Sequence, residues 1–207
     1  MGISISKASE NDAGFLAKMI LQSSRAEKKY GIYDLVFNTK TDEDLLSYLE
    51  KLIVTETKNH CHFSNFLIAN IDSKQVGTLC SYEPRISTHA AFKKSLEEIG
   101  FDGDISEYEE ILEVCDFEQN NRTLVFDFME ELEGFVDVGI LKALMQKSLL
   151  TARLKGYRIA QTIVEIGSLE IILLYKKLGF KEVKQKECEL YKEKFGRLGL
   201  ALLEIEF

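Results

Sequence analysis

Leu174-Tyr175-Lys176-Lys177-Leu178-Gly179-Phe180, LYKKLGF, is the stretch on which the reading of this chain turns. A largely apolar run leads into a tyrosine and two lysines, and a glycine follows one leucine later. Lysines in a last turn complement the negative end of a helix dipole, and glycine takes the left-handed conformation that stops helices. The stretch therefore predicts a helix that Ser168 caps and Gly179 ends, handing over to a strand that opens at Phe180. Tyr175 lies one turn before that junction and is the first candidate for chemistry.

Working outward toward the N-terminus, Tyr157 to Val164 reads as a strand, Gly139 to Leu154 as a helix closed by Gly156, and Leu124 to Met129 as another strand. Toward the C-terminus, Phe180 to Glu189 and Leu198 to Phe207 read as two strands around a glycine-containing loop. At the other end of the chain, Ile3 to Lys7 alternates with strand period, and Ser9 to Asp12 opens a helix carrying Phe15, Leu16, Met19 and Ile20. Thr41 is the N-cap of a second helix, with Asp42, Glu43 and Asp44 in its first turn and Leu45, Leu46, Leu49 and Ile53 at helical spacing. Asn65 to Ile71 and Gln75 to Tyr82 form two antiparallel strands around the turn Asp72-Ser73-Lys74. Residues from about 87 to 121 carry two helical stretches around Gly100 to Gly103 and read as an insertion.

At 207 residues and 45% hydrophobic content, the chain suits a single domain over 1–207. No segment approaches the ~20 apolar residues that span a bilayer, and the N-terminus lacks a signal-peptide pattern. Cysteines 61, 80, 115 and 188 show no short pairing, so neither a disulfide framework nor a zinc site is expected, and a reducing cytoplasm fits best. Glu97 to Glu133 holds 14 acidic residues against the single base Arg122, within a chain of net charge −8. The acidic segment would attract cations and repel phosphates. No basic cluster with interleaved aromatics exists, so neither nucleic acid nor a membrane is expected as a partner. The reading leaves a homodimer open.

LYKKLGF, the hairpin NFLIANIDSKQVGTLCSY at Asn65 to Tyr82, and the order of elements together resemble the GNAT superfamily of acetyl-CoA-dependent N-acetyltransferases. The resemblance covers nearly the whole chain. It implies an α/β (α+β) fold: a mixed, mostly antiparallel central sheet with helices on both faces, here with the acidic helical insertion. It also implies acetyl-CoA as cosubstrate, no metal, and transfer of acetyl to a primary amine of a small cationic acceptor or a basic peptide end. Tyr175 then protonates the departing thiolate. Asp127, and next Glu130, stand where acidic bases occur in some relatives, and an amide near Met129 would meet the developing oxyanion. Regular alternation puts Asp127 and Glu131 on one face of the strand and Glu130 on the other.

For the cofactor, the resemblance implies a pyrophosphate held on amides at a helix N-terminus. The family pattern Q/R-x-x-G-x-G/A aligns with Val136-Asp137-Val138-Gly139-Ile140-Leu141, of which Gly139 alone matches. Asp137 before the helix could equally cap it and close the site. The backbone around Met129 and Glu131 would pair with pantetheine, and Ser168 stands where the family has asparagine. These departures keep a second reading open: a GNAT-fold acyl-CoA sensor or interaction module without transfer. His60-Cys61-His62 would point its side chains in opposite directions and has no second pair, and Asp102, Asp104, Ser106 and Glu113 fall at EF-hand-like positions but have Glu107 where the loop needs glycine, so no metal is expected.

Overall fold

The computed structural model describes residues 2–118, 120, 122–135 and 139–207. Seven strands form one sheet: β1 (Ile3–Lys7), β2 (Phe66–Ile71), β3 (Lys74–Tyr82), β4 (Leu124–Glu131), β5 (Ile159–Glu165), β6 (Lys181–Glu187) and β7 (Gly199–Glu206). Their spatial order is β1-β2-β3-β4-β5-β7-β6, and every neighbouring pair is antiparallel except β4 with β5. Among the described residues, eight α-helices accompany them: α1 (Ala13–Arg25), α2 (Ile32–Phe37), α3 (Asp42–Ile53), α4 (His89–Glu98), α5 (Ser106–Cys115), α6 (Ile140–Leu154), α7 (Leu169–Lys177) and α8 (Glu189–Phe195).

The central strands bury both faces because two helical layers cover the sheet, while the edge strand β6 stays exposed. Leu16 and Ile20 of α1, Tyr33 and Phe37 of α2, Leu49 and Ile53 of α3 and Phe92 of α4 pack on one face with Phe66, Ile68 and Val125. On the other, Leu144 and Met145 of α6 and Ile172 and Tyr175 of α7 pack on Ala69, Leu79, Phe126 and Leu203. Gly77 in β3 is what lets α6 close down. A Cβ there would lie 2.7 Å from Ile140 Cγ2 and 2.9 Å from the Glu130 carbonyl oxygen, too close for any other residue.

Two features of β4 create the site. Its pairing with β5 covers only Leu124↔Ala160 and Val125↔Gln161, although both strands continue for several residues. Meanwhile β5 stays paired to β7 along its whole length, from Ile159↔Glu206 to Glu165↔Leu200. A wedge therefore opens between β4 and β5. The second feature is a bulge. Cys80 pairs with Asp127 and Thr78 with Glu130, so Phe128 and Met129 together face the single residue Leu79. Phe128 takes the left-handed conformation at φ 45°, and the buried Thr78 hydroxyl donates to its carbonyl at 3.0 Å.

Most expected elements are present, with three corrections. Ser168 occupies the N-cap position of α7, yet its side chain makes no capping bond. The segment read as a loop between the last two strands contains α8, whose Tyr191 and Phe195 are one turn apart and buried. Cys115 and Cys188 form a disulfide with a Cα–Cα distance of 5.4 Å across a sequence separation of 73. The expectation of four unpaired cysteines fails because α5 packs on α8 through Ile111, Phe117, Tyr191 and Phe195, a contact with no trace in cysteine spacing. Cys61 and Cys80 stay free and buried. Among the described residues, no helix is long and apolar enough to cross a membrane.

Candidate active site

The bulge determines which side chains meet. In a regular strand Asp127 and Glu130 would point to opposite faces, but the extra residue between them restores Glu130 to the side of Asp127. The alternation expected from sequence is thus corrected: both carboxylates face α1. Gln22 at the end of α1 confirms the orientation, its Nε2 donating to Glu130 Oε2 at 2.7 Å and more weakly to the Glu131 carbonyl at 3.3 Å. Asp127 Oδ1 accepts from the Phe128 amide at 2.8 Å. Among the described residues its second oxygen has no bonded protein partner and opens into a cleft.

That cleft has a volume of about 1330 Å³ and runs from the β4–β5 wedge to the space under α5. Asp127, Met129, Glu130, Glu131, Leu141 and Tyr175 line it, so six expected site residues, drawn from three elements, come together. Burial drives the Asp127 carboxyl up to about 7; the Phe128 amide opposes the rise and the Asp116 charge adds to it. Glu130 is likewise pushed up to about 7 by burial, against its bonds from Gln22 and Ser23 and with the help of Glu131 and Asp127. Burial is the leading cause at both carboxyls. Tyr175 is 6% exposed and packs edge-on to Phe180 at 5.1 Å. Burial raises its phenol well above the ordinary tyrosine value, with Thr162 beside it acting in the opposite sense. It therefore stays protonated.

The remaining expected positions divide. Gly139 precedes α6 at φ 86° with open space where a side chain would stand. Ile140 is wholly buried beneath Gly77 and offers only its backbone. The Ser168 hydroxyl is buried without a hydrogen-bond partner, and Ser168 is not among the residues that line the cleft. Val136, Asp137 and Val138 lie outside the described residues. The first-turn amides of a fifteen-residue helix have no partner within the helix, and such amides can receive an anionic group.

Sequence reasoning missed the far half of the cleft. His60 lines it beside Tyr33, whose hydroxyl lies 2.7 Å from His60 Nε2 and 2.9 Å from Cys61 Sγ. Burial and His89 hold the His60 imidazole down at about 4, so it is neutral. Glu165, at the end of β5, accepts from the Tyr191 hydroxyl at 2.9 Å, pairs with Lys28, and lies 3.4 Å from Arg197 Nε without hydrogen-bond geometry. Lys28 and Tyr33 fall in and after a polar stretch without periodicity, which carries no signal for a cleft wall. Among the described residues, no group of three or more His, Cys, Asp and Glu side chains could hold a metal.

No protein-family model matches the sequence, and no curated protein does. Solved structures match over essentially the full chain. An N-acetyltransferase from Staphylococcus aureus Mu50 aligns with a TM-score of 0.69 at 18% identity, covering 98% of this chain and 100% of that one. A GNAT-family acetyltransferase from Streptococcus pneumoniae aligns at 0.54 with 17% identity, over 100% and 99%. The PaiA N-acetyltransferase from Thermoplasma acidophilum, solved in complex with coenzyme A, aligns at 0.54 with 13% identity over 100% of both chains. The fold of this protein is the GNAT fold, as LYKKLGF and the element order imply.

Proposed function

We propose that the protein is an N-acetyltransferase that moves an acetyl group from acetyl-CoA to a primary amine of a small, cationic acceptor. The observation that carries this reading is the convergence, in one cleft at the β4–β5 wedge, of two carboxyls poised near neutrality and a protonated tyrosine. The GNAT fold supports it, and a coenzyme A complex of one structural neighbour supports the cosubstrate.

Acetyl-CoA supplies an activated acyl carbon and a sulfur leaving group. The acceptor arrives as an ammonium, and Asp127 in its ionised form takes a proton from it, leaving a nitrogen lone pair to form the new C–N bond. Glu130, bonded to Gln22, places a second carboxyl on the same side of β4. As the C–S bond breaks, Tyr175 delivers its proton to sulfur, and the proton released by the attacking amine restores the balance through solvent. The products are an amide and a free thiol.

The test is calorimetric titration with coenzyme A, with thermal unfolding read in parallel. Binding of the thiol form at micromolar to submillimolar concentration should raise the melting temperature. Absence of any heat or stabilisation at millimolar coenzyme A would refute the reading. Binding without transfer across an amine panel would instead identify a non-catalytic acyl-CoA binder.

A further inference from the structure

The acceptor half of the cleft carries a more specific message, which rests on the transferase reading. Four basic side chains line the cleft among the described residues: Arg25, Lys28, His60 and His89. Each is already engaged. Arg25 binds Asp34 at 2.7 Å and Asp42 at 2.6 Å, and Lys28 pairs with Glu165. His89 stands 3.3 Å from Glu109, which Lys93 also holds at 2.7 Å, and His60 is uncharged against Tyr33. No cation is left over for an acceptor's carboxylate or phosphate. Asp127, by contrast, offers an oxygen to the cleft, and the Asp116 carboxyl adds negative charge from the end of α5.

Around Asp127 the wall is made of rings. His60 and Phe92 lie 4.9 Å apart, Phe92 and Tyr108 5.4 Å, His60 and Tyr82 6.0 Å, and Tyr33 and Phe128 6.2 Å. These six side chains form one connected aromatic set, and the Asp127 charge is felt by Tyr33 and Tyr108 within it. Glu113, Asp116 and Glu130 also line the cleft, so its wall combines acids with ring faces and holds no uncommitted cation. A single ammonium is welcome at Asp127, and the body attached to it meets apolar surface and ring quadrupoles. A carboxylate on that body would meet acids and rings and no uncommitted cation.

We infer that the acceptor is a primary amine carried on an apolar, ring-bearing body without a carboxylate, seated in the chamber between α2, α4 and α5 with its nitrogen at Asp127. Free amino acids, which bring a carboxylate, fit this chamber poorly.

The test measures equilibrium binding of four probes to the intact protein, with and without saturating coenzyme A: 2-phenylethylamine, L-phenylalanine, spermidine and glucosamine. Phenylalanine differs from phenylethylamine only by its carboxylate, which isolates the charge argument. Phenylethylamine should bind at least ~10-fold more tightly than phenylalanine, a difference that one unpaired buried charge readily produces, and more tightly than spermidine and glucosamine, which lack an apolar ring. Asp127→Asn should weaken phenylethylamine by a further ~10-fold while leaving coenzyme A affinity unchanged. Equal binding of phenylalanine, equal or tighter binding of spermidine or glucosamine, or binding of none would overturn the inference. Because amine binding is read without acetyl transfer, tight phenylethylamine binding with no turnover would count against the transferase reading and for the chamber.

Discussion

Replacing Asp127 by asparagine should stabilise the fold and disable the chemistry, and the two effects can be measured on one preparation. The asparagine keeps an oxygen for the Phe128 amide at 2.8 Å and removes the charge. Burial raises the Asp127 carboxyl from 3.8 to about 7, and at ~1.4 kcal/mol per pH unit this corresponds to ~4 kcal/mol against ionisation in the folded state. Asp127 is half-buried and opens to solvent in the cleft, so about half of that, ~2 kcal/mol, is a fair discounted figure. A group whose folded-state value is raised contributes stability at low pH and loses it as pH climbs through the folded value. The wild type should therefore lose stability between about pH 4 and pH 7, and the variant should not. At pH 8 the variant should melt roughly 4–8 °C higher, an advantage that fades as pH falls and is nearly gone near pH 4. Differential scanning calorimetry at the two pH values measures this directly. A variant no more stable than wild type at pH 8, or equally more stable at both, would show that the buried carboxylate is not under this strain. Acetyl transfer by the same variant should drop by about 100-fold or more.

Four further outcomes follow from the same contacts. Wild-type kcat/KM should rise with pH through about 7, where Asp127 and Glu130 lose their protons, and a profile flat between pH 6 and 8 would remove both from the role of base. Tyr175→Phe should lower kcat by roughly 100-fold with little change in coenzyme A affinity, as read by steady-state kinetics and calorimetry. Thr78→Val deletes the bond that holds the Phe128 carbonyl, should cost about 1 kcal/mol in denaturant unfolding, and should lower kcat by loosening the spacing of the two carboxylates. Cys115→Ser opens a link spanning 73 residues and should lower stability by about 2–4 kcal/mol relative to the oxidised wild type, while a wild type unaffected by reductant would show that the link contributes nothing.

The fold was legible where period and punctuation coincided. LYKKLGF marks the end of α7 because the dipole, the glycine and the apolar run agree, and the hairpin of β2 and β3 announces itself by alternation around Asp72-Ser73-Lys74. The short helices α2 and α8 were not, since six or seven residues hold too little of the helical period to separate from loop. Tyr175, Asp127 and Glu130 were legible as candidates, yet their geometry was not. A bulge at Phe128 is set by its left-handed backbone and by Thr78 from the neighbouring strand, neither visible in β4's own residues. The aromatic chamber was hidden for a related reason: its rings come from six separated segments, and each alone reads as ordinary core.

The most direct measurement of the central claim is release of free thiol from acetyl-CoA by the purified protein as amine is added. The account predicts amine-dependent thiol release that rises through pH 7, strongest with 2-phenylethylamine, and that Tyr175→Phe suppresses without loss of coenzyme A binding. A correctly folded protein that binds coenzyme A yet releases no thiol above background with any amine would contradict it.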